Sequence, residues 1–417
     1  MFDYQSHLAA RVQELKEAGN YRVFVEIERL AGSFPQAVHH HDGNQRLITV
    51  WCSNDHLGMG QNPDVMAAMK ASIDRSGVAA GGSRNISGNN HNHILLEKEI
   101  AELHRKERGL TFITGYAANE AALGVLGRRL PGCVFFSDEF NHASMIIGMQ
   151  QSGAEKHVFG HNDVDHLDFL LRSVDRDRPK VVAFESIYSM DGDRAPMVEL
   201  CSVAKKHNAL VYVDEAHTVA MYGPEGAGLA AQLGVADQVD ILMGTFAKGY
   251  GTAGGYIVGA DAVLDAIRSF APAFIFTLAM PPSLAAAALT SVRHLRHCNE
   301  ERRQLHARAA QLKARFHQAG IPMVCDQSHI VPVLVGDPHH CKQLADTLLI
   351  EHAMYVQPIN FPSVARGTER LRINPSPVHR PDEVDRFADA VDLVWTQLGL
   401  PRTRHSTVVE RTLLEAR

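Results

Sequence analysis

The chain lacks most of the features that allow a quick assignment. Its 417 residues hold only six cysteines, at 52, 133, 201, 298, 325 and 341. None belongs to a Cys-x-x-Cys pair and none is followed by proline. No disulfide framework is implied, and the cysteines read as reduced thiols of a cytoplasmic protein. A basic tract is also missing. The net charge is −6, so nothing would track a phosphate backbone, and no nucleic-acid partner is expected. No apolar run approaches the ~18 residues of a membrane helix, so no membrane partner is expected. Internal repeats and low-complexity linkers are absent as well. The opening stretch, MFDYQSHLAARVQELKEAGN, has early acidic residues and no apolar signal region. It reads as an amphipathic helix and not as a signal or transit peptide, which points to a bacterial, cytoplasmic chain.

What is present is ordinary globular text, 45% hydrophobic and 21% charged, enough for one large core and a smaller domain. Histidine is abundant, but HHHD (39–42) lacks ligand spacing and reads as a polar turn, so no metal site is expected. Five apolar runs, 133–138, 180–186, 209–215, 239–245 and 254–260, are separated by helical patterns. That texture predicts an α/β fold with a mostly parallel central sheet covered by helices. Ligands in such sheets bind beyond the carboxyl ends of the strands. The polar residues there, Ser137, Ser186, Asp214 and Thr245, are the first candidates. From about 283 the chain turns into a long helical region, followed by strand–helix–strand–helix text that predicts a smaller C-terminal α/β domain.

Three features carry chemistry. Asp214 ends a buried run, where a carboxylate is costly unless paired, and His217 follows it in DEAHTV. Lys248 lies between Thr245 and a glycine cluster, a setting that suits a Schiff-base lysine beside a phosphate. Gly249, Gly251 and Gly254 spell the dinucleotide fingerprint, but a strand follows at once and no helix opens, which argues against a nicotinamide site. Together Asp214, His217, Thr245 and Lys248 offer pyridoxal phosphate (PLP) an acid for its ring nitrogen, a partner for its phenolic oxygen, a phosphate ligand and a lysine for its aldehyde.

With GGSRNISG (81–88), SDEFNHASMI, ESIYSMDGD, VDEAHTVAMYGPEGAG, GTFAKGYGTAGGY and YVQPINFPSVARGTERLRINPSP, the chain resembles the α-oxoamine synthase family of fold-type I PLP enzymes. Within it, the text is most similar to the aminolevulinate synthase branch. The resemblance implies a PLP-dependent acyltransferase that condenses glycine with succinyl-CoA for tetrapyrrole and haem synthesis. It also implies a homodimer with the active site at the subunit interface. Lys248 would hold the cofactor and later remove the substrate Cα proton. Asp214 would pair with the ring nitrogen, His217 would meet the phenolic oxygen and His142 would stack on the ring. Ser137 and Ser189 would lie beside the ring. Thr114, Gly115, Tyr116, Ala117 and Thr245 would hold the phosphate, with Thr277 reaching in from the second subunit. Asn54 and Arg372 would take the amino-acid carboxylate. Arg22, Asn85 and Ser363 would take the distal carboxylate of the acyl group.

The same resemblance divides the chain into an N-terminal helical arm (1–47), a PLP-binding large domain (48–285), a small domain (286–400) and a tail (401–417). Departures from the branch pattern include Ser83 and Ser363 in place of threonine, His56 in place of tyrosine and Leu278 in place of a hydroxyl residue. If Ser83 faces the amino-acid Cα, the lost methyl would relax selectivity for glycine, with alanine or serine as alternatives. Another acyl-CoA is the further alternative.

Overall fold

The computed structural model describes residues 2–403. The part of the expected tail from 404 onward lies outside the described residues. The chain divides into two compact units. The larger comprises Asn54–Ser189 and Arg194–Arg303, and the smaller the described residues of Met1–Ser53, Met190–Asp193 and Gln304–Arg417.

The larger unit is built on a seven-stranded sheet. In chain order its strands are β1 (Arg108–Phe112), β2 (Val134–Asp138), β3 (Glu155–Phe159), β4 (Lys180–Glu185), β5 (Leu210–Asp214), β6 (Ile241–Thr245) and β7 (Gly255–Gly259). Their spatial order is β1-β7-β6-β5-β4-β2-β3. Every neighbouring pair from β6 to β3 is parallel, whereas β7 runs antiparallel to both β1 and β6. The short link after Thr245 explains the exception, because a parallel neighbour needs a crossover of a dozen or more residues. Strands β2, β4, β6 and β7 are buried along their whole length, so both faces of the sheet are covered. The five expected runs all form strands. The two that the sequence reading did not anticipate, β1 and β3, are the sheet's edges.

Two local expectations change. His39 to His41 are not a turn but the end of strand Gln36–His41. The turn is only Asp42–Gly43, both with positive φ (49° and 78°), which is the two-residue hairpin that Asp-Gly favours. The long helical region from 283 is two helices, Pro282–His297 and Glu300–Ala319, interrupted at Cys298, whose backbone is extended.

The smaller unit holds two sheets. One has four strands, Glu26–Arg29, Gln36–His41, Asn44–Val50 and Met354–Tyr355, in that spatial order. The other is antiparallel, with Arg370–Ile373 between Val331–Leu334 and Pro358–Ile359. Its core centres on Trp51, which stacks on His379 and Phe387 at ring-centroid distances of 4.0 and 4.1 Å. The N-terminal helix Tyr4–Glu17 buries none of its residues against the described residues. Among the described residues, no helix is long and apolar enough to cross a membrane.

Candidate active site

Asp214 ends β5 and is 4% exposed. Its burial is tolerated because both oxygens are occupied. Oδ2 accepts from Asn119 Nδ2 at 2.8 Å, and Oδ1 accepts from the Ala216 N–H at 2.8 Å. A carboxylate only accepts, so the Asn119 amide must turn its nitrogen toward Asp214. Its oxygen then accepts from the Tyr212 hydroxyl at 2.7 Å. The same amide nitrogen donates to Ser144 Oγ at 2.9 Å, and Ser144 Oγ lies 2.7 Å from His142 Nδ1. His142 Nδ1 also accepts the Ser144 backbone N–H at 3.2 Å. That nitrogen therefore carries its lone pair, and the ring carries its proton on Nε2. Burial lowers the His142 pKa, Asp214 opposes this and Lys248 adds to it, so the neutral ring is favoured.

Lys248 follows β6. Its Nζ lies 2.8 Å from His217 Nε2, which reaches in from the loop after β5. Thr245, at the end of β6, donates through Oγ1 to the Gly254 carbonyl at 2.8 Å and accepts the Ala247 N–H at 3.2 Å. The glycines beside Lys248 thus close a turn into β7 rather than open a helix, so Gly249, Gly251 and Gly254 do not form a dinucleotide loop.

Thr114 caps helix Gly115–Arg129, its Oγ1 accepting from the Ala117 N–H at 3.0 Å. The backbone N–H groups of the first turn face forward from the helix, the usual setting for a phosphate. Gly115 lines that turn. A Cβ at this position would sit 2.8 Å from Met243 Cε and 3.4 Å from Thr245 Oγ1, closing the space beside the β6 end. Tyr116, at the same turn, meets the His142 ring edge-on at 6.4 Å.

The remaining expected residues are distributed as follows. Ser137 is buried at the end of β2, accepting from Asn141 Nδ2 at 3.0 Å. Ser189 is half-buried beyond β4. Ser186 bonds the Asp214 carbonyl (3.3 Å) and Thr218 Oγ1 (2.9 Å), which makes it part of the scaffold. Thr277 is half-buried and donates to the Ala273 carbonyl at 2.8 Å. Asn54 is exposed at the start of the larger unit. In the glycine loop Ser83 is half-buried, its Oγ accepting from the Ile86 N–H at 3.3 Å, while Asn85 is exposed. Arg84 anchors this loop, donating to both Glu97 oxygens (2.7 and 3.0 Å), Asn89 (2.7 Å) and Thr111 (3.1 Å).

In the smaller unit, Arg22 Nη2 donates to Ser363 Oγ at 2.8 Å, although 341 residues separate them. Arg372 is buried in strand Arg370–Ile373, and burial pulls its pKa down to about 10. It remains a cation at neutral pH.

Sequence reasoning missed Asn119 and Glu185. Asn119 is an unmarked polar residue on a helix, and only packing against β5 gives it a role. Glu185 is the parallel-register partner of Asp214. Burial, and then the Asp214 charge, raise its pKa well above the usual carboxylate value.

A half-buried lysine, a buried paired carboxylate, a neutral histidine and a capped helix N-terminus match the chemical functions of PLP one for one. With the antiparallel β7, they define a fold-type I PLP-dependent enzyme. The aminotransferase class I and II family model matches residues 47–391. The 5-aminolevulinate synthase 2 of Cereibacter sphaeroides is 50% identical over 405 residues, covering 97% of this chain and 100% of that protein. The 5-aminolevulinate synthase of Bradyrhizobium diazoefficiens is 47% identical over 408 residues, covering 98% and 100%. Among solved structures, SPT with PLP aligns with a TM-score of 0.88 at 31% identity, covering 96% of this chain and 100% of that one. The chain belongs to the aminotransferase class I and II family, in its 5-aminolevulinate synthase branch, and its cofactor is pyridoxal phosphate.

Replacing Asn119 by alanine would strip a donor from Asp214 and an acceptor from Tyr212, both in the interior. Asn119→Ala should lower the unfolding free energy by about 1–3 kcal/mol and weaken PLP retention. Denaturant titration and PLP back-titration measure the two effects. Unchanged values in both would remove Asn119 from the site's support.

Proposed function

We propose that this chain condenses glycine with succinyl-CoA, releasing CoA, carbon dioxide and 5-aminolevulinate, the entry compound of tetrapyrrole and haem synthesis. Bound PLP supplies the electron sink that makes the glycine Cα–H acidic. Lys248 Nζ holds the cofactor and then takes the Cα proton. Asp214, held by the Asn119 amide and the Ala216 N–H, would pair with the ring nitrogen. His142 would cover the ring as a neutral aromatic, and His217 would serve the phenolic oxygen together with Ser189. Ser137 would lie at the ring's side. The turn Thr114 to Ala117 and Thr245 hold the phosphate.

Arg372 and Asn54 grip the glycine carboxylate, the guanidinium as a bidentate fork. Glycine Cα replaces CoA on the succinyl carbonyl, and the glycine carboxylate departs as carbon dioxide. Arg22, Asn85 and Ser363 receive the distal succinyl carboxylate, which would be costly to desolvate without such partners. The observation that carries the reading is the 2.8 Å contact of Lys248 with His217 beside a doubly bonded Asp214. The Arg22–Ser363 hydrogen bond supports the dicarboxylic acyl group.

The enzyme works in the cytoplasm as a homodimer, with Thr277 completing the phosphate site of the second copy. Exposed apolar groups support this assembly. Tyr4, Leu8, Val12 and Leu15 form one stripe at helical spacing on the N-terminal helix, and Phe276 and Leu278, which flank Thr277, are 81% and 71% exposed. The relatives from C. sphaeroides and B. diazoefficiens are both named 5-aminolevulinate synthase, which disfavours another amino acid or acyl-CoA as the main substrate.

A CoA-release assay over a grid of amino acids and acyl-CoAs should be dominated by glycine with succinyl-CoA. A different dominant pair would overturn the reading. In the same grid, Arg22→Leu should depress the succinyl-CoA rate far more than the rate with an acyl-CoA that lacks the distal carboxylate.

Ser83→Thr should raise the glycine-to-alanine ratio of kcat/KM, since one methyl discriminates by roughly 1–3 kcal/mol. An unchanged ratio would mean that residue 83 does not face the amino-acid Cα.

A further inference from the structure

Away from the cofactor residues, the break between helices Pro282–His297 and Glu300–Ala319 gathers three metal-ligating groups. His294 stands in the last turn of the first helix, Cys298 follows its end and Glu301 lies in the first turn of the second. One ligand atom from each lies within 4.8 Å of the other two. His294 Nε2 and Glu301 Oε1 are 2.6 Å apart. Glu301 Oε2 is buried and has no hydrogen-bond partner among the described residues. All three residues are half-buried, so the cluster is neither sealed in the core nor fully hydrated.

We propose that His294 Nε2, Cys298 Sγ and a Glu301 carboxylate oxygen bind a divalent cation of borderline softness, with Zn2+ as the fitting occupant. A thiolate with an imidazole selects against Mg2+ and Ca2+, which take oxygen ligands. Three protein ligands leave the fourth tetrahedral position to water. Binding releases the Cys298 thiol proton and requires the His294 proton to sit on Nδ1.

Two cations lie nearby, and Arg302 is close enough to feel both Glu301 and Cys298. Arg296 is neutralised by Glu99 and Glu225. Arg302 directs its guanidinium to the carbonyls of Leu295 (2.7 Å), Cys298 (2.9 Å) and Ala220 (3.2 Å). A bound ion would fasten the end of one helix to the start of the next, where the chain leaves the larger unit. The run His39 to His41, an alternative metal ligand on the surface, has no thiol beside it in sequence and cannot give a thiolate signature.

The test uses the PLP-loaded enzyme, freed of metal by a chelator and titrated with Co2+ and then Zn2+. The expected result is a near-ultraviolet thiolate-to-cobalt band that saturates at one Co2+ per chain and is displaced by Zn2+. Cys298→Ser should abolish the band and weaken Zn2+ binding by at least ~10-fold, whereas Cys201→Ser should leave both unchanged. No band, or a band that survives in Cys298→Ser, would overturn the proposal. Should Cys298→Ser fail to fold, Glu301→Gln replaces it, and unchanged Zn2+ affinity in that variant would overturn the proposal equally.

Discussion

A charged carboxylate inside a protein is costly unless donors pair with it, and this structure is arranged around one such group. Asp214 sits at the end of a central strand, with one oxygen held by Asn119 and the other by a backbone N–H. In the strand neighbour in register, Glu185, burial and the Asp214 charge push the pKa well up. Asn119 extends the same network to Ser144 and His142, so the acid and the aromatic partner are positioned by one amide. The helix after Gly115, which carries Asn119, belongs to the arrangement that makes that charge tolerable.

The second constraint is the short return from β6 to β7. It reverses the strand direction, places Lys248 on a turn and brings Gly255 against Gly115, where an added Cβ would lie 2.5 Å from Gly115 Cα. The glycines that mimic a dinucleotide fingerprint serve other close approaches: a Cβ on Gly249 would lie 2.9 Å from the Val219 carbonyl, and Gly251 and Gly254 have positive φ (66° and 110°). The glycine loop at 81–88 is a different device. Arg84 is consumed in anchoring it to Glu97, which leaves Ser83 and Asn85 as the residues that can answer to substrates.

The central strands were legible because burial on both faces makes them continuous apolar runs. The edge strands were not. β3 begins with Glu155 and Lys156, and β1 with Arg108, which pairs with Asp261 at 2.8 Å. Charge on edges blocks unwanted strand pairing, and it erases the apolar signature. Asp214, His217 and Lys248 could be read because strand-end chemistry clusters in short motifs. Asn119 and Glu185 could not, since their roles arise only when a helix and a neighbouring strand pack against Asp214. The pairing of Arg22 with Ser363 follows from no local pattern and came only through family resemblance.

The negative charge of Asp214, and not merely its shape, would make the bound cofactor an electron sink. CoA release from glycine and succinyl-CoA in Asp214→Asn, compared with wild type at matched PLP occupancy, tests it most directly. The account predicts that the variant folds, binds PLP and loses nearly all condensation. Turnover close to that of wild type at full occupancy would contradict it.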